Sequence, residues 1–483
     1  MTTHSTILKN TSFLFVGRLL TLVLSIIYYG TLSRYVHASG MGVLGTATSL
    51  ISLLITFVNF GLNELIVRDV AADKSRSASY VANVLFLRAG LSIVFFGAIF
   101  ALIKLIKYPI ETSLIILLYG FCFIFDSFSD VYLSIFNAHE KMEYVSLLFA
   151  GRDIINISLS LAAIALKSNL YLIVGISAFA SFIKLIAANI LLKTRFVTPR
   201  WSINLPLIRR ILLTSLPFAA LSIINALHQS VDTFILSFYR PAQVVGWYSS
   251  VKIFLSYLLL LPNYLNQAIF PVFSRLHVLS YDELKRIYSV FFKYLLLFGC
   301  VVCFGILVIA DRLIVLMFGP DFKEASIILQ ILSFSFLWIF GYVNGAVLLA
   351  TGGQKIFTKL SFIGLVLTII VSLLITPKLG MLGPAISFIL PGAIFALPLT
   401  WICHRRLRLP IPYILMIKSL AAGLSMATIS VIGVKLHLPF LIIVFVLAPC
   451  VYGLLLGILG LISRQEFRLV IQLVKNKIKI SSR

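Results

Sequence analysis

The chain has 483 residues, of which 60% are apolar and only 12% charged, with a mean hydropathy of +1.07. Soluble chains are about a quarter charged, so this composition excludes a soluble enzyme and leaves room for about a dozen or more membrane helices and little else. The net charge of +24, from 40 Lys and Arg against 16 Asp and Glu, does not require nucleic acid, because cytoplasmic loops of membrane proteins collect Lys and Arg.

Breaks at charged and Pro/Gly-rich positions predict fourteen spans. In chain order they are 11–33, 42–66, 80–103, 112–136, 145–166, 170–192, 209–237, 246–272, 287–310, 325–350, 357–376, 381–403, 411–434 and 439–463. The first is too long for the apolar core of a cleavable signal. The connections are short, so the chemistry must sit inside the bundle or at its two surfaces. Five cysteines, at 122, 300, 303, 403 and 450, fall mostly in apolar runs and read as small buried hydrophobes rather than redox or metal groups. With the N-terminus inside, the cytoplasmic segments hold 24 Lys and Arg and the outer ones nine. The bias predicts an inner-membrane, multi-pass protein with both termini cytoplasmic.

The chain repeats itself. Aligned at an offset of 204 without gaps, residues 32–63 and 236–267 share eight identities, among them Ser33/Ser237, Ala38/Ala242, Gly42/Gly246 and Asn59/Asn263. A weaker echo at offset 214 pairs Lys141 with Lys355 and Ser158 with Ser372. Six spans per repeat is an even number, so the two lobes run parallel about an axis along the membrane normal, as in two-lobed transporters. The expected organisation is an all-α membrane protein with an N-terminal lobe over 1–200 and a C-terminal lobe over 201–408. An additional helix pair over 409–463 and a basic cytoplasmic tail over 464–483 follow.

Five stretches carry a family likeness: RYVHASGMGVLG at 34–45, FGLNELIVR at 60–68, NAHEKMEY at 137–144, LLATGGQK at 348–355 and PKLGMLG at 377–383. In this order they resemble the polysaccharide transporter, or O-antigen flippase, branch of the multidrug/oligosaccharidyl-lipid/polysaccharide exporter superfamily. The resemblance implies a flippase that moves a lipid-linked oligosaccharide, on an isoprenoid pyrophosphate carrier, to the outer leaflet by alternating access. It implies membrane lipids as surroundings, H+ or Na+ as coupling ion, and polysaccharide polymerase and chain-length proteins as partners. The alternatives are a cation-coupled multidrug exporter, a peptidoglycan lipid-precursor flippase and a membrane glycan polymerase. A polymerase or glycosyltransferase would carry a sizeable extramembrane catalytic loop, and a scaffold would have no use for charges inside spans.

A pyrophosphate needs cations within the membrane, and a charged residue there is functional by default. Arg18, a third of the way into span 1, suits phosphate because its planar fork binds two oxygens at once; the other reading is an arginine reaching back to the inner headgroups. Glu64 is expected to pair with Arg68, four residues on. Arg88 in span 3 divides evenly between cavity lining and reaching for the headgroups. Asp126 and Asp130 in span 4 share one helix face and read either as a proton- or sodium-coupling pair or as salt-bridge partners of Arg88 or Arg152. Arg152 and Asp153, adjacent in span 5, do not face each other on an ideal helix, so each is expected to find a partner elsewhere. Lys184 and Lys293 read mainly as lysines reaching for the headgroups. In span 7, Asn225, His228, Gln229 and Asp232 form a polar stripe that reads as cavity lining or as an interhelical seam. Lys252 in span 8 completes the substrate candidates. Tyr35, Trp201, Trp247 and Tyr248 read as interfacial belt residues. The chain has no Gly-Lys dipeptide and so no phosphate-binding loop of the Walker type, no HExxH, no GxSxG and no zinc spacing. A catalytic role, a metal and a cofactor are therefore not expected.

Overall fold

The structure is a computed structural model that describes the backbone of residues 2–198, 202–435 and 446–461, and side chains from residue 22 onward. Its elements are helices: α1 (Thr2–Asn59), α2 (Leu62–Ala72), α3 (Ser77–Ile106), α4 (Ile110–Ala138), α5 (Met142–Ala165), α6 (Leu170–Arg195), α7 (Leu205–Tyr239) and α8 (Ala242–Leu258). They continue with α9 (Leu260–Leu279), α10 (Tyr281–Phe318), α11 (Ala325–Ser333), α12 (Gly341–Ala350), α13 (Gln354–Leu379), α14 (Leu382–Leu407), α15 (Tyr413–Lys435) and α16 (Ala448–Ile458).

Among the described residues, ten segments are long and apolar enough to cross a membrane, or up to twelve if each of two bent pairs is one span. The count falls short of the expected fourteen at two places. Spans 11–33 and 42–66 merge into one segment, Leu22–Ala72, and the last expected span, 439–463, lies partly outside the described residues. The merged segment is not straight. His37 has φ 58 and ψ −178, a conformation natural to glycine that costs on the order of 1–3 kcal/mol in other residues. Tyr29 and Thr48, on either side of it, line one cavity. A straight helix would hold them some 28 Å apart at ~1.5 Å per residue, so the chain folds back at His37. The 40° bend between α8 and α9 has a different cause. Pro262 lacks an N–H and its ring crowds the carbonyl four residues back, at Leu258, where α8 ends.

The chain divides into two compact units. The first holds residues 1–257 with 315–322 and 368–384. In it α4 packs on α6, and α1 on α5 and α7, around a core that includes Leu62, Val81, Val131, Phe136 and Leu192. The second holds 258–314, 323–367 and 385–483. Its centre is the fully buried Asn344, which accepts from Tyr288 Oη at 2.7 Å and donates to Thr400 Oγ1 at 2.7 Å. Beside it α10, α15 and α16 enclose an apolar groove of about 280 Å³ floored by Met426 and Tyr452.

The sequence repeat reappears as packing within the first unit. A Cβ on Gly42 would lie 1.6 Å from the Ala242 carbonyl oxygen, and one on Gly246 1.8 Å from the Ala38 carbonyl oxygen. These four residues are the repeat identities Ala38/Ala242 and Gly42/Gly246, so the two Ala-x3-Gly turns meet backbone to backbone in a nearly two-fold contact. Only glycine permits that approach. Ser33 Oγ donates to the carbonyl of Phe318 at the end of α10 at 3.1 Å, while its mate Ser237 Oγ lies 3.3 Å from Tyr108 Oη just after α3. Those two helix ends are themselves six predicted spans apart, as a parallel repeat requires.

Candidate functional site

Two polar clusters lie inside the apolar first unit. The first stands on the repeat axis, between both arms of α1, α7 and α8, around a cavity of about 250 Å³. Four offset-204 mates line it together: Tyr29 with Thr233, Gly45 with Ser249, Thr48 with Lys252, and Ser49 with Ile253. Around this cavity the repeats differ in charge at two positions. Where the first repeat has Tyr28 and Thr48, the second has Asp232 and Lys252, so anion and cation stand at paired positions of the same repeat. Lys252 Nζ reaches Asp232 Oδ1 at 2.8 Å and Oδ2 at 3.0 Å, and donates to the Gln229 carbonyl at 2.6 Å. Asp232 is fully buried. It also accepts from Tyr248 Oη at 2.6 Å and from the Thr233 amide at 2.6 Å. A buried carboxylate is tolerable only when paired and hydrogen-bonded in this way.

The second cluster joins α3, α4, α5 and α6. Asp126 and Asp130 do share a face of α4. Lys184 from α6 sits against both, 2.8 Å from Asp126 and 3.6 Å from Asp130, with Nζ 4.8 Å from the centre of the Phe149 ring. Arg152 from α5 lies 3.7 Å from Asp126 and 3.1 Å from Asp153, and donates to Ser181 Oγ at 3.3 Å. Arg88, fully buried, donates to Asn63 Oδ1 at 2.7 Å and to the Ser127 carbonyl. Ser127 in turn donates to Asn59 at 2.6 Å. Arg152 and Lys184 therefore face Asp126 and Asp130 around a cavity of about 290 Å³.

These positions correct several expectations. Lys184 is 3% exposed and ion-paired rather than reaching for headgroups, because two carboxylates one turn apart offer it a closer partner. Arg152 does find its expected partner on another helix, Asp126, but it bonds Asp153 as well: a long arginine stem curls back where an ideal helix keeps neighbouring Cβ atoms apart. Arg68 pairs with Asp69 at 2.7 Å, and Glu64 is exposed. Tyr248 is no belt residue but a fully buried anchor of Asp232. Tyr35 and Trp247 are tied to backbone carbonyls of Ser168 at 2.7 Å and Asp321 at 2.8 Å. Of the α7 stripe, Gln229 lines the first cavity and Asp232 anchors it from behind, whereas Asn225 and His228 do not line it. Arg88 belongs to the second cluster, apart from Lys252. Arg18 lies in α1 with its side chain outside the described residues, and Trp201 lies outside them altogether. The sequence reading missed Tyr29, Thr48, Ser49 and Ser52. The signal available was the register of the repeat, which sets Thr48 opposite Lys252.

Apolar helices long enough to span a membrane, with polar pockets among them, make this a multi-pass membrane protein. The profile of the polysaccharide biosynthesis protein family matches residues 7–277, more than half of the chain, and the chain belongs to that family. It is 24% identical over 387 residues to the capsular polysaccharide biosynthesis protein CapF of Staphylococcus aureus, covering 78% of this chain and 94% of that protein. Its fold is that of the lipid II flippase MurJ in an inward closed conformation, with TM-score 0.74 at 14% identity over 92% of this chain and 98% of the other. An inward-facing multidrug resistance transporter of the MATE family gives TM-score 0.63 at 16% identity over 80% and 94%. The protein is thus a multi-pass membrane protein of the polysaccharide biosynthesis protein family, with the fold of these flippases and exporters.

Proposed function

We propose that the protein flips a lipid-linked oligosaccharide, on an isoprenoid pyrophosphate, across the cytoplasmic membrane for polysaccharide biosynthesis, and that it performs no catalysis. The observation that carries this reading is the polar cavity on the repeat axis. It is a place inside an apolar bundle where a hydrophilic head group meets hydrogen-bonding partners while its isoprenoid tail stays in lipid. The family membership supports polysaccharide precursors as cargo. Rocking of two lobes then exposes the head group to either side in turn. The Asp126–Asp130–Lys184 cluster is where H+ or Na+ couples to that motion, and Arg18 is the cation for the pyrophosphate.

The test is surface glycan in a cell lacking its own flippase, with membrane abundance of each variant measured in parallel. The wild type restores the glycan. Arg18→Lys retains part of the function, since a point charge attracts phosphate without the two-oxygen fork. Arg18→Ala loses about 10- to 150-fold in binding, the equivalent of one charge-assisted hydrogen bond. Full function of Arg18→Ala at normal abundance removes Arg18 from the site. Failure of the wild type with every lipid-linked glycan offered removes the reading.

A further inference from the structure

The proposal concerns which part of the cargo the cavity on the repeat axis receives, and it rests on the flippase reading above. Ionised pyrophosphate only accepts hydrogen bonds, whereas a sugar hydroxyl both donates and accepts. The two ligands therefore call for different linings. Lys252 is the cation at this cavity, and an ammonium has three protons to donate. The Gln229 carbonyl and the two oxygens of Asp232 lie 2.6, 2.8 and 3.0 Å away and take all three. Asp232 cancels its charge from a site with no solvent exposure.

The hydroxyls point the same way. Thr48 Oγ1 donates to the Leu44 carbonyl at 2.8 Å, Ser49 Oγ to that of Thr46 at 2.9 Å, and Ser249 Oγ to that of Gly246 at 3.3 Å. These protons are spent on backbone carbonyls, Ser249 Oγ reaching that of Met41 as well at 3.4 Å, which leaves lone pairs of the oxygens for a ligand. The lining therefore sets acceptors beside the phenol and amide donors of Tyr29, Tyr119 and Gln229, the mixed set that a sugar hydroxyl uses, and its cation is neutralised. At about 250 Å³ the cavity has room for a sugar ring. We infer that this cavity binds a saccharide ring of the cargo through the ring's own hydroxyl protons, and that the pyrophosphate lies elsewhere.

The experiment uses the purified full-length protein in lipid nanodiscs. Its probes are isoprenyl pyrophosphate and the same carrier bearing one hexose or one N-acetylhexosamine, with binding read by native mass spectrometry. The glycosylated carrier should bind about tenfold tighter or better, the work of two or three net hydrogen bonds. In Thr48→Val/Thr233→Val, which keeps shape and removes acceptors, that ratio should fall toward one while the bare carrier binds as before. Lys252→Gln alone strands a buried carboxylate and invites misfolding, so the charge is tested in Lys252→Gln/Asp232→Asn, which leaves the site neutral. That variant should bind the bare carrier as the wild type does. A tenfold loss there assigns the pyrophosphate to Lys252 and overturns the proposal, as does equal binding of the two carriers by the wild type. Binding of neither carrier overturns the flippase reading and this assignment together.

Discussion

Asp126, Asp130 and Lys184 show how a buried cation changes the meaning of an acidic pair. From sequence, two carboxylates one helical turn apart invite a test in which both become asparagine. The structure places an almost unexposed ammonium between them. Removing both acids leaves that charge uncompensated, and breaking a buried pair costs about 3–5 kcal/mol. We therefore expect Asp126→Asn/Asp130→Asn to melt well below the wild type, and the further change Lys184→Met to restore most of the loss. Gradient dependence of transport should still be absent in the triple variant. Thermal unfolding in detergent reads the first expectation and proteoliposome flux the second. A triple variant that transports with normal gradient dependence reduces the cluster to a structural role.

At the scale of elements, the Ala-x3-Gly contact between α1 and α8 is the joint most sensitive to one methyl group. In the observed packing, Gly42→Val sets side-chain atoms on the Ala242 carbonyl, and overpacking of this kind costs about 1–3 kcal/mol. The contact should open in preference to the helices unfolding. A cysteine at Ala38 should then react faster with a membrane-impermeant maleimide in the Gly42→Val background, and an unchanged labelling rate counts against the contact as a joint. The turn between α4 and α5 supplies a pH dependence. His139 lies outside the spans, against Ser77 Oγ at 3.2 Å and the Phe196 ring. Burial, aided by Lys74, lowers its pKa below the ordinary 6.5. The unfolded chain therefore takes up the proton first. The turn is at full strength above about pH 6.5 and loses stability as the pH falls from there toward the folded value. Protection factors from hydrogen exchange over 136–145, corrected for the slower intrinsic exchange at low pH, should fall between pH 7.5 and 5.5 in the wild type and hardly change in His139→Gln. Equal pH dependence in both proteins assigns the effect to another group.

At the scale of the whole molecule, the distribution of Lys and Arg predicts cytoplasmic termini. Reporter fusions after residue 463 should read as cytoplasmic, and a periplasmic reading reverses the topology and the direction of flipping with it.

The sequence by itself determined the class of this protein. Span length, charge bias and the offset-204 identities are local or additive properties, and a bilayer that tolerates only satisfied backbones converts them into helices and lobes with few alternatives. They lead to a helical multi-pass membrane protein and single out Asp126, Asp130, Asp232 and Lys252. Which of those charges meet was decided only by tertiary structure. Lys184 lies 54 residues from Asp130 and Tyr248 lies 16 from Asp232, and the partner each selects depends on helix rotation and on a chain reversal at His37. Span periodicity records neither. The acceptor lining of the axial cavity was hidden for the same reason. Thr48, Ser49 and Ser249 are ordinary residues in apolar helices until packing shows that their protons are already spent and that their oxygens face one space.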